Sequence, residues 1–274
     1  MSKSWWRESG VGLVAPVVVI GLWQAMAMLG WLNPQVLPSP LAVAVRWLEY
    51  VLPMAPFAGY SGGWLHWLVS GELIVDALGS LYRVLCGFAI GTGLALPLAL
   101  VMGANARAYA WLNPLLQLLR PIPPIAYIPL SILWFGLGNP PAIFLIALGA
   151  FFPVLMNTIA GVHQVDGIYL RAARNLGAGG ATMFLRVILP ATVPYILSGV
   201  RIGIGTAFIV VIVSEMIAVN NGLGFRILEA REYFWSDKVM AGMISIGLVG
   251  LLIDIGMNQL SHYLLRWHRG VEMS

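Results

Sequence analysis

Three charged residues interrupt long apolar runs of this sequence: Arg120, Arg201 and Asp254. A charge is costly to place in an apolar surrounding, so such residues commonly pair with one another or belong to a functional site. The planar guanidinium of arginine can donate to two oxygens of an oxyanion at once, which suits Arg120 and Arg201 to attract a small anion. Arg201 and Asp254 could instead pair and neutralise each other, and the sequence leaves both interpretations open.

The remaining residues do not indicate metal or nucleophile chemistry. Cys86 is the single cysteine, so a disulfide framework and a cysteine-based metal site are excluded. The histidines show no metal-ligand spacing, and no P-loop sequence occurs. We therefore expect no metal site, no cofactor and no enzymatic activity in this chain, and any nucleotide hydrolysis must belong to a partner.

The most distinctive segment is a basic stretch from His163 to Leu189. Asp166 can cap a short helix, and Gly177 can end it because glycine tolerates the left-handed backbone conformation. The result would be a compact basic helix, with Ile168 and Leu176 available for burial. If only the charges were present, an ordinary loop on the cytoplasmic side of a membrane would be the simpler explanation.

The composition indicates whether the chain is surrounded by water or by lipid. Hydrophobic residues make up 59% and charged residues 9% of the 274 residues, whereas soluble domains carry about 45–50% and about 25%. A chain of this size cannot bury so much apolar surface in one water-soluble core. The net charge of +4 comes from scattered arginines, which favours orientation across a membrane over binding to nucleic acid. The sequence therefore predicts an all-α integral membrane protein and excludes a soluble enzyme.

Gaps between charged residues predict about six transmembrane helices. These predicted spans are 10–32, 84–106, 115–137, 142–162, 194–217 and 239–262. A cleaved signal peptide competes with the first span, but the apolar run is too long for a typical signal sequence. The segment 136–141 should separate the third and fourth spans, because its glycines and prolines break a helix. Gly87, Gly91 and Gly93 should give the second span a small-residue face for close helix packing.

Three segments follow from these spans. Residues 1–32 form an N-terminal tail and the first helix, residues 33–83 an outer loop with amphipathic helices, and residues 84–270 a core of five transmembrane helices that includes the loop 163–189. The predicted inner segments carry the excess of arginine, so the positive-inside rule places both termini in the cytoplasm. Glu215 would lie at the outer end of the fifth span, where a carboxylate can reach the interface or cap a helix.

Residues 171–190 resemble the signature of permease subunits of ABC importers, E-A-A-x3-G-x9-I-x-L-P. The matching positions are Ala172, Ala173, Gly177, Leu189 and Pro190. Arg171 stands where the signature has glutamate, and Val187 stands where it has isoleucine. Flanking segments resemble the branch of this family that imports nitrate, sulfonates, taurine and bicarbonate. These segments are 80–88, 120–130, 134–136, 199–201 and 214–215.

The resemblance implies the type I ABC importer permease fold in a bacterial inner membrane, with the outer loop in the periplasm. It makes the helix around Arg171, Arg174 and Gly177 a coupling helix, seated in a groove of a separate ATPase subunit that binds ATP and Mg. The implied partners are two ATPase subunits, a periplasmic substrate-binding protein and a second permease copy in a homodimer. Because Arg171 cannot make the ion pair of the family glutamate, we expect compensating acidic charge on the ATPase.

The expected function is a translocation pathway for a small oxyanion of the nitrate, sulfonate, taurine or bicarbonate class, with Arg120, Arg201 and Asp254 along the pathway. An uncharged or aromatic nutrient is the alternative substrate. A stand-alone secondary transporter would show two related halves with broken helices, and a membrane-embedded enzyme would show clustered acid, base or metal residues. Neither pattern is visible in the sequence.

Overall fold

The computed structural model describes residues 4–53 and 63–264 and shows helices and connecting loops, with no strand in these ranges. The helices are α1 (Ser4–Met28), α2 (Pro40–Val51), α3 (Gly63–Leu68), α4 (Glu72–Ala104), α5 (Ala106–Leu119), α6 (Ile128–Phe135), α7 (Asn139–His163), α8 (Gly167–Asn175), α9 (Gly180–Met183), α10 (Leu189–Ala218), α11 (Leu223–Glu232) and α12 (Ser236–Leu264). The predicted cytoplasmic ends, with Lys3, Arg266 and Arg269, lie outside the described residues.

Three long helices, α4, α7 and α10, pack together at the centre of the fold. A Cβ atom at Gly87 would lie 2.6 Å from the Cβ of Ile146, and one at Gly91 would lie 2.3 Å from the carbonyl oxygen of Ala147. These two glycines therefore let α7 approach α4 closely, as predicted. Gly93 does not belong to this face, because no atom lies within 4 Å of the position its Cβ would take.

Helix α4 crosses the boundary that the sequence suggested at residue 83. It begins at Glu72 and runs without interruption to Ala104, so the amphipathic segment and the predicted second span are one helix. Within α4 no proline occurs before Pro97, and its isolated glycines do not stop a helix that packs against α7 and α10. The outer segment and the core are thus joined by one continuous helix rather than by a loop.

The predicted third span, 115–137, is not a single helix. Arg120 is the C-cap of α5 and keeps helical dihedral angles, and the chain continues through a 3₁₀ turn at Pro124–Tyr127 into α6. The bend between the two halves is 81°. Pro121, Pro123 and Pro124 explain it, because each lacks a backbone N–H and disfavours helical geometry in the preceding residue. The predicted break at 136–141 is confirmed, with Gly136 and Gly138 at φ of 75° and 119° between α6 and α7.

Four described helices are long and apolar enough to cross a membrane: α4, α7, α12 and the continuous helix Gly180–Ala218, which contains α9 and α10. The bent pair of α5 and α6 makes a fifth candidate if it is counted as one span, and the apolar part of α1, Val14–Met28, is shorter. The described residues therefore hold four or five candidate spans, compared with the about six predicted.

Helix α10 separates two polar ends of the molecule. Its 30 residues extend over about 45 Å at 1.5 Å per residue. The loop 163–189 with α8 precedes it, and α11 follows it. We call the first the coupling end. The other end, which we call the outer end after its predicted orientation, also contains α2 and the starts of α4 and α12. Hydrogen bonds from Arg46 to Asp237 and from Trp47 to Ser245 tie α2 to α12.

Candidate functional site

The break between α5 and α6 opens a cleft of about 480 Å³ against α7 and α10. Its walls are mainly apolar and include Ile122, Phe152, Met156 and Ile202. Its polar side chains are those of Arg120, Asn157 and Thr206. Irregular backbone at the depth of a membrane is tolerated where it lines a protected cavity, so the proline-rich turn and the cleft are features of one site.

Arg120 is the cationic group of this cleft. It follows the C-terminal end of α5, where the helix dipole favours a positive charge, and it is exposed. Within the described ranges, no carboxylate lies within ion-pair distance of its guanidinium. The amide nitrogen of Asn157 donates to the carbonyl oxygen of Pro153 at 2.8 Å, and the Thr206 hydroxyl lies 2.9 Å from the carbonyl oxygen of Gly149. The arginine is therefore the positively charged donor that the cleft offers to an anion.

Arg201 and Asp254 pair with each other. Nη2 of Arg201 lies 2.9 Å from Oδ1 of Asp254, and Nε donates to the same oxygen at 3.2 Å. The pair joins α10 to α12, and the two side chains are 50% and 55% exposed. Neither residue lines the cleft. The structure thus shows the pairing of Arg201 with Asp254 that was one of the two interpretations of the sequence.

The predicted coupling helix forms as α8 within the loop 163–189. Oδ1 of Asp166 accepts a hydrogen bond from the backbone N–H of Ile168 at 2.8 Å, which confirms the predicted cap. At the other end, the N–H of Ala178 donates to the carbonyl oxygen of Ala173, and Gly177 takes a φ of +82°. This is a Schellman cap with glycine in the left-handed position, as the sequence indicated.

The surface of α8 is both apolar and basic. Ile168, Tyr169 and Leu176 are exposed, the last at 88%, and the exposed Arg171 and Arg174 have no carboxylate partner among the described residues. Exposed apolar side chains on a polar helix mark a contact surface for another protein. The motif residues Leu189 and Pro190 begin α10, after a π turn at Phe184–Ile188 that joins it to α9. The loop and the span that follows are therefore one continuous helical unit.

A buried ionic cluster at the outer end was not predicted. Nη1 of Arg83 donates to Oε1 of Glu215 at 2.5 Å, and Nε donates to the side-chain oxygen of Asn139 at 2.7 Å. The hydroxyl of Ser80 donates to the other Glu215 oxygen at 2.9 Å, and Arg83 also donates to the side chain of Asn221. One arginine thereby connects α4 to the start of α7, the end of α10 and the loop before α11.

A second group of charges adjoins this cluster. Oδ1 of Asp76 accepts from the N–H of Gly222 and Oδ2 accepts from Nε of Arg226, both at 2.8 Å. Arg226 also pairs with Glu72 at 2.5 Å and with Glu229 at 2.7 Å. Burial disfavours its charge, but the hydrogen bond and the negative charges of Asp76 and Glu72 outweigh this and raise the pKa of Arg226. Helix α11 is therefore fixed to α4 by charged hydrogen bonds.

Sequence reasoning missed this cluster because its members lie far apart in the chain. Glu215 was expected to reach the interface or to cap a helix. It is fully buried and so does not reach the interface, but its Oε2 accepts from the N–H of Gly224 in the first turn of α11, so the capping alternative is confirmed. The one available signal was that Arg83 and Glu215 both fall in segments that resemble the importer branch. Within the described residues, no group of three or more His, Cys, Asp or Glu side chains could hold a metal ion.

Comparison with known proteins gives consistent matches over most of the chain. The family described as binding-protein-dependent transport system inner membrane component matches residues 91–269. A Bacillus subtilis protein named as an aliphatic sulfonates transport permease is 37% identical over 95% of this chain and 88% of its own length. The taurine transport system permease of Escherichia coli is 35% identical over 97% and 92%. The bicarbonate transport system permease of Synechococcus elongatus is 32% identical over 95% and 92%.

A solved structure of the MetNI methionine ABC transporter also matches. The TM-score is 0.60 at 18% identity, over 72% of this chain and 97% of that one. At this identity, the likeness shows a shared fold and says nothing about substrate.

Proposed function

This chain belongs to the family of binding-protein-dependent transport system inner membrane components, and from that premise we propose that its cleft at Arg120 passes an organic sulfonate across the membrane. Membership makes the chain the permease subunit of an ABC importer, a multi-pass inner-membrane protein that acts with an ATPase and a substrate-binding protein. It is a transport subunit and not an enzyme. The alternative of a stand-alone secondary transporter is therefore wrong.

The unpaired guanidinium of Arg120 is the observation that carries the proposal. We expected two arginines on the pathway. Arg201 is neutralised by Asp254 at 2.9 Å, whereas Arg120 lines the cleft without a carboxylate partner among the described residues. An oxyanion would accept hydrogen bonds from two N–H groups of this guanidinium in a bidentate arrangement. An uncharged nutrient would leave those donors and that charge without a partner, so the alternative substrate fits the cleft less well.

The apolar walls favour an anion that has an organic part. The cleft of about 480 Å³ is lined by Phe152, Met156 and Ile202. These apolar walls contribute little binding free energy for nitrate or bicarbonate, because those ions have no apolar surface to bury. A sulfonate on a short carbon chain would place its charge at Arg120 and its chain against these walls. The names of the Bacillus and Escherichia relatives, which refer to aliphatic sulfonates and to taurine, support this choice over the bicarbonate named for the Synechococcus relative.

The proposal includes a homodimer that binds two ATPase subunits through its two copies of α8. Only 17% of the residues in the apolar stretch of α12 are buried within the chain, so most of this helix is left for lipid or for a second copy. The exposed Ile168, Tyr169 and Leu176 give each copy one apolar contact for one ATPase. In this arrangement Arg171, Arg174 and the alanines between them would lie in the ATPase groove.

Uptake by the reconstituted complex tests the substrate. The permease, its ATPase and its binding protein would be placed in liposomes with ATP and offered labelled alkanesulfonates of increasing chain length, taurine, bicarbonate, nitrate and a neutral sulfone of matched size. We expect uptake of sulfonates and a loss of roughly tenfold or more in the Arg120→Ala complex, the size expected for a lost hydrogen bond to a charged group. Equal uptake of the neutral sulfone, or full sulfonate uptake by Arg120→Ala, would contradict the proposal.

A further inference from the structure

Phe234 lies in a backbone conformation that suits glycine. Its φ is 58°, and in the described part of the chain it is the one non-glycine residue with a positive φ. It ends α11 in a Schellman cap, in which the N–H of Trp235 donates to Ala230 and that of Phe234 donates to Arg231. The same cap ends α8 with Gly177 in the equivalent position. A phenylalanine here accepts backbone strain that glycine would avoid.

Burial does not compensate this strain, because the Phe234 side chain is 84% exposed. Strained residues that persist in a fold are often found at functional sites. An aromatic ring that projects from the surface at such a position therefore points to a contact made outside this chain.

The segment that carries the Phe234 ring is held in place by its neighbours and by α11. The chain neighbours of this phenylalanine, Tyr233 and Trp235, stack on each other with ring centroids 4.8 Å apart, and the ammonium of Lys238 lies 4.2 Å from the centre of the Trp235 ring. Helix α11 beneath them is held to α4 by the ion pairs of Arg226 with Glu72 and Asp76. A backbone that is already held in place loses little entropy when a partner binds, and an aromatic side chain on such a backbone is typical of an interface hot spot.

The surroundings of Phe234 fit a protein better than a lipid surface. Exposed Arg231 and Glu232 precede the aromatic residues, and Asp237 and Lys238 follow them. An aromatic centre with a charged rim is the usual anatomy of a protein interface. Anionic lipid headgroups attract clusters of lysine and arginine, whereas this rim carries equal numbers of positive and negative charges.

The position of Phe234 indicates which partner protein would contact it. Helix α11 follows the C-terminal end of α10, while the coupling helix precedes its N-terminal end, so the two contact surfaces lie at opposite ends of a membrane-spanning helix. A partner at the outer end cannot be the ATPase. We propose that Phe234 is the anchor by which the permease docks its soluble substrate-binding protein, inserting the ring into an apolar pocket on that protein. This inference rests on the proposed function.

Replacement of Phe234 by glycine separates docking from folding, because glycine relieves the strain while it removes the ring. In nanodiscs that hold the permease with its ATPase, we would titrate the binding protein and measure the concentration that gives half-maximal stimulation of ATP hydrolysis. The F234G complex should keep or raise its melting temperature and its basal ATP hydrolysis. It should need roughly tenfold more binding protein or more. Trp111→Ala is the matched control, because Trp111 is also 84% exposed but lies on α5, whose Tyr109 packs against His163 at the coupling end.

Two results would overturn the docking role. An F234G complex with an unchanged titration would show that the ring does not contact the binding protein. Lower basal hydrolysis and a lower melting temperature, with an unchanged titration, would show that the ring anchors the chain in lipid. If the wild-type complex were not stimulated at all, the proposed import function would fail instead, so the two failures are distinguishable.

Discussion

Nη1 of Arg83 and Oε1 of Glu215 lie 2.5 Å apart, and the two side chains are 2% and 0% exposed. The pair joins α4 to the outer end of α10, and Ser80 and the N–H of Gly224 satisfy the second carboxylate oxygen. A buried ion pair contributes little net stability over an apolar pair, but the loss of one partner leaves an uncompensated charge. The two central helices are thus held in one relative position at this end.

Removal of one partner of this pair should destabilise the permease strongly. Glu215→Gln and Arg83→Met should each lower the free energy of unfolding by about 3–5 kcal/mol, since a charge would remain buried without its partner. The measurement is the unfolding midpoint in detergent. Glu49→Ala is the control, because Glu49 belongs to an exposed pair with Arg46 and such pairs contribute about 0–1 kcal/mol.

The double variant Arg83→Met/Glu215→Leu provides the decisive comparison. Its loss should be smaller than the sum of the two single losses, because no lone charge remains. Additive losses would mean that the two residues stabilise the fold independently of each other.

Gly222 should not tolerate a side chain. Its φ is +106°, and a Cβ there would lie 2.5 Å from the Glu215 carboxylate. Gly222→Ala should therefore cost stability by about 1 kcal/mol or more from the backbone alone, and it should displace the N–H that donates to Asp76. Gly205→Ala is matched to it, since a Cβ at Gly205 in the middle of α10 meets no atom within 4 Å. That control should be neutral or stabilising, and an equal loss in both variants would contradict the close contact at Gly222.

The helical cap of α8 should matter for coupling. Asp166→Ala removes the hydrogen bond to Ile168 and should destabilise the helix by about 1 kcal/mol, so that movement of the ATPase is transmitted less well. We expect fewer substrate molecules imported per ATP hydrolysed, measured in proteoliposomes. Asp166→Asn keeps a capping oxygen and should retain the wild-type ratio. A low ratio in both variants would mean that the negative charge, and not the cap, is what the loop requires.

Arg171 distinguishes this coupling helix from the family signature. If the ATPase groove carries acidic residues that compensate for it, Arg171→Glu should weaken association of the ATPase, because like charges would then face each other. Co-purification at low and high salt measures this, and high salt should reduce the defect by screening. Stronger association in the variant would show that the groove accepts the family glutamate instead.

The parts that sequence predicted are those determined by local chemistry. Asp166, Gly177 and the glycines at 136 and 138 each act within a few residues of themselves, so their caps and breaks could be read from spacing. The bend at 120–124 was visible as prolines, but its size of 81° depends on how α6 packs against α7. Apolar composition alone could not show that the third predicted span divides into two helices.

The buried cluster could not be predicted for a different reason. Arg83 and Glu215 are 132 residues apart in the chain, and hydropathy shows each only as a charge near the end of a span. Their pairing follows from the packing of α4 against α7 and α10, which is a tertiary property. Phe234 likewise has no sequence signal, since its strain is visible only in the backbone.

The pair of Arg201 and Asp254 should be dispensable for uptake when both charges are removed together. Arg201→Ala and Asp254→Ala should each impair the permease, because each leaves a lone charge between α10 and α12 in the membrane. The double variant Arg201→Met/Asp254→Leu should recover much of the sulfonate uptake of the wild type, since the cleft at Arg120 is unchanged and no unpaired charge remains. Uptake per assembled complex, with basal ATP hydrolysis as the measure of assembly, decides the question. A double variant that hydrolyses ATP normally but imports nothing would return Arg201 to the substrate pathway.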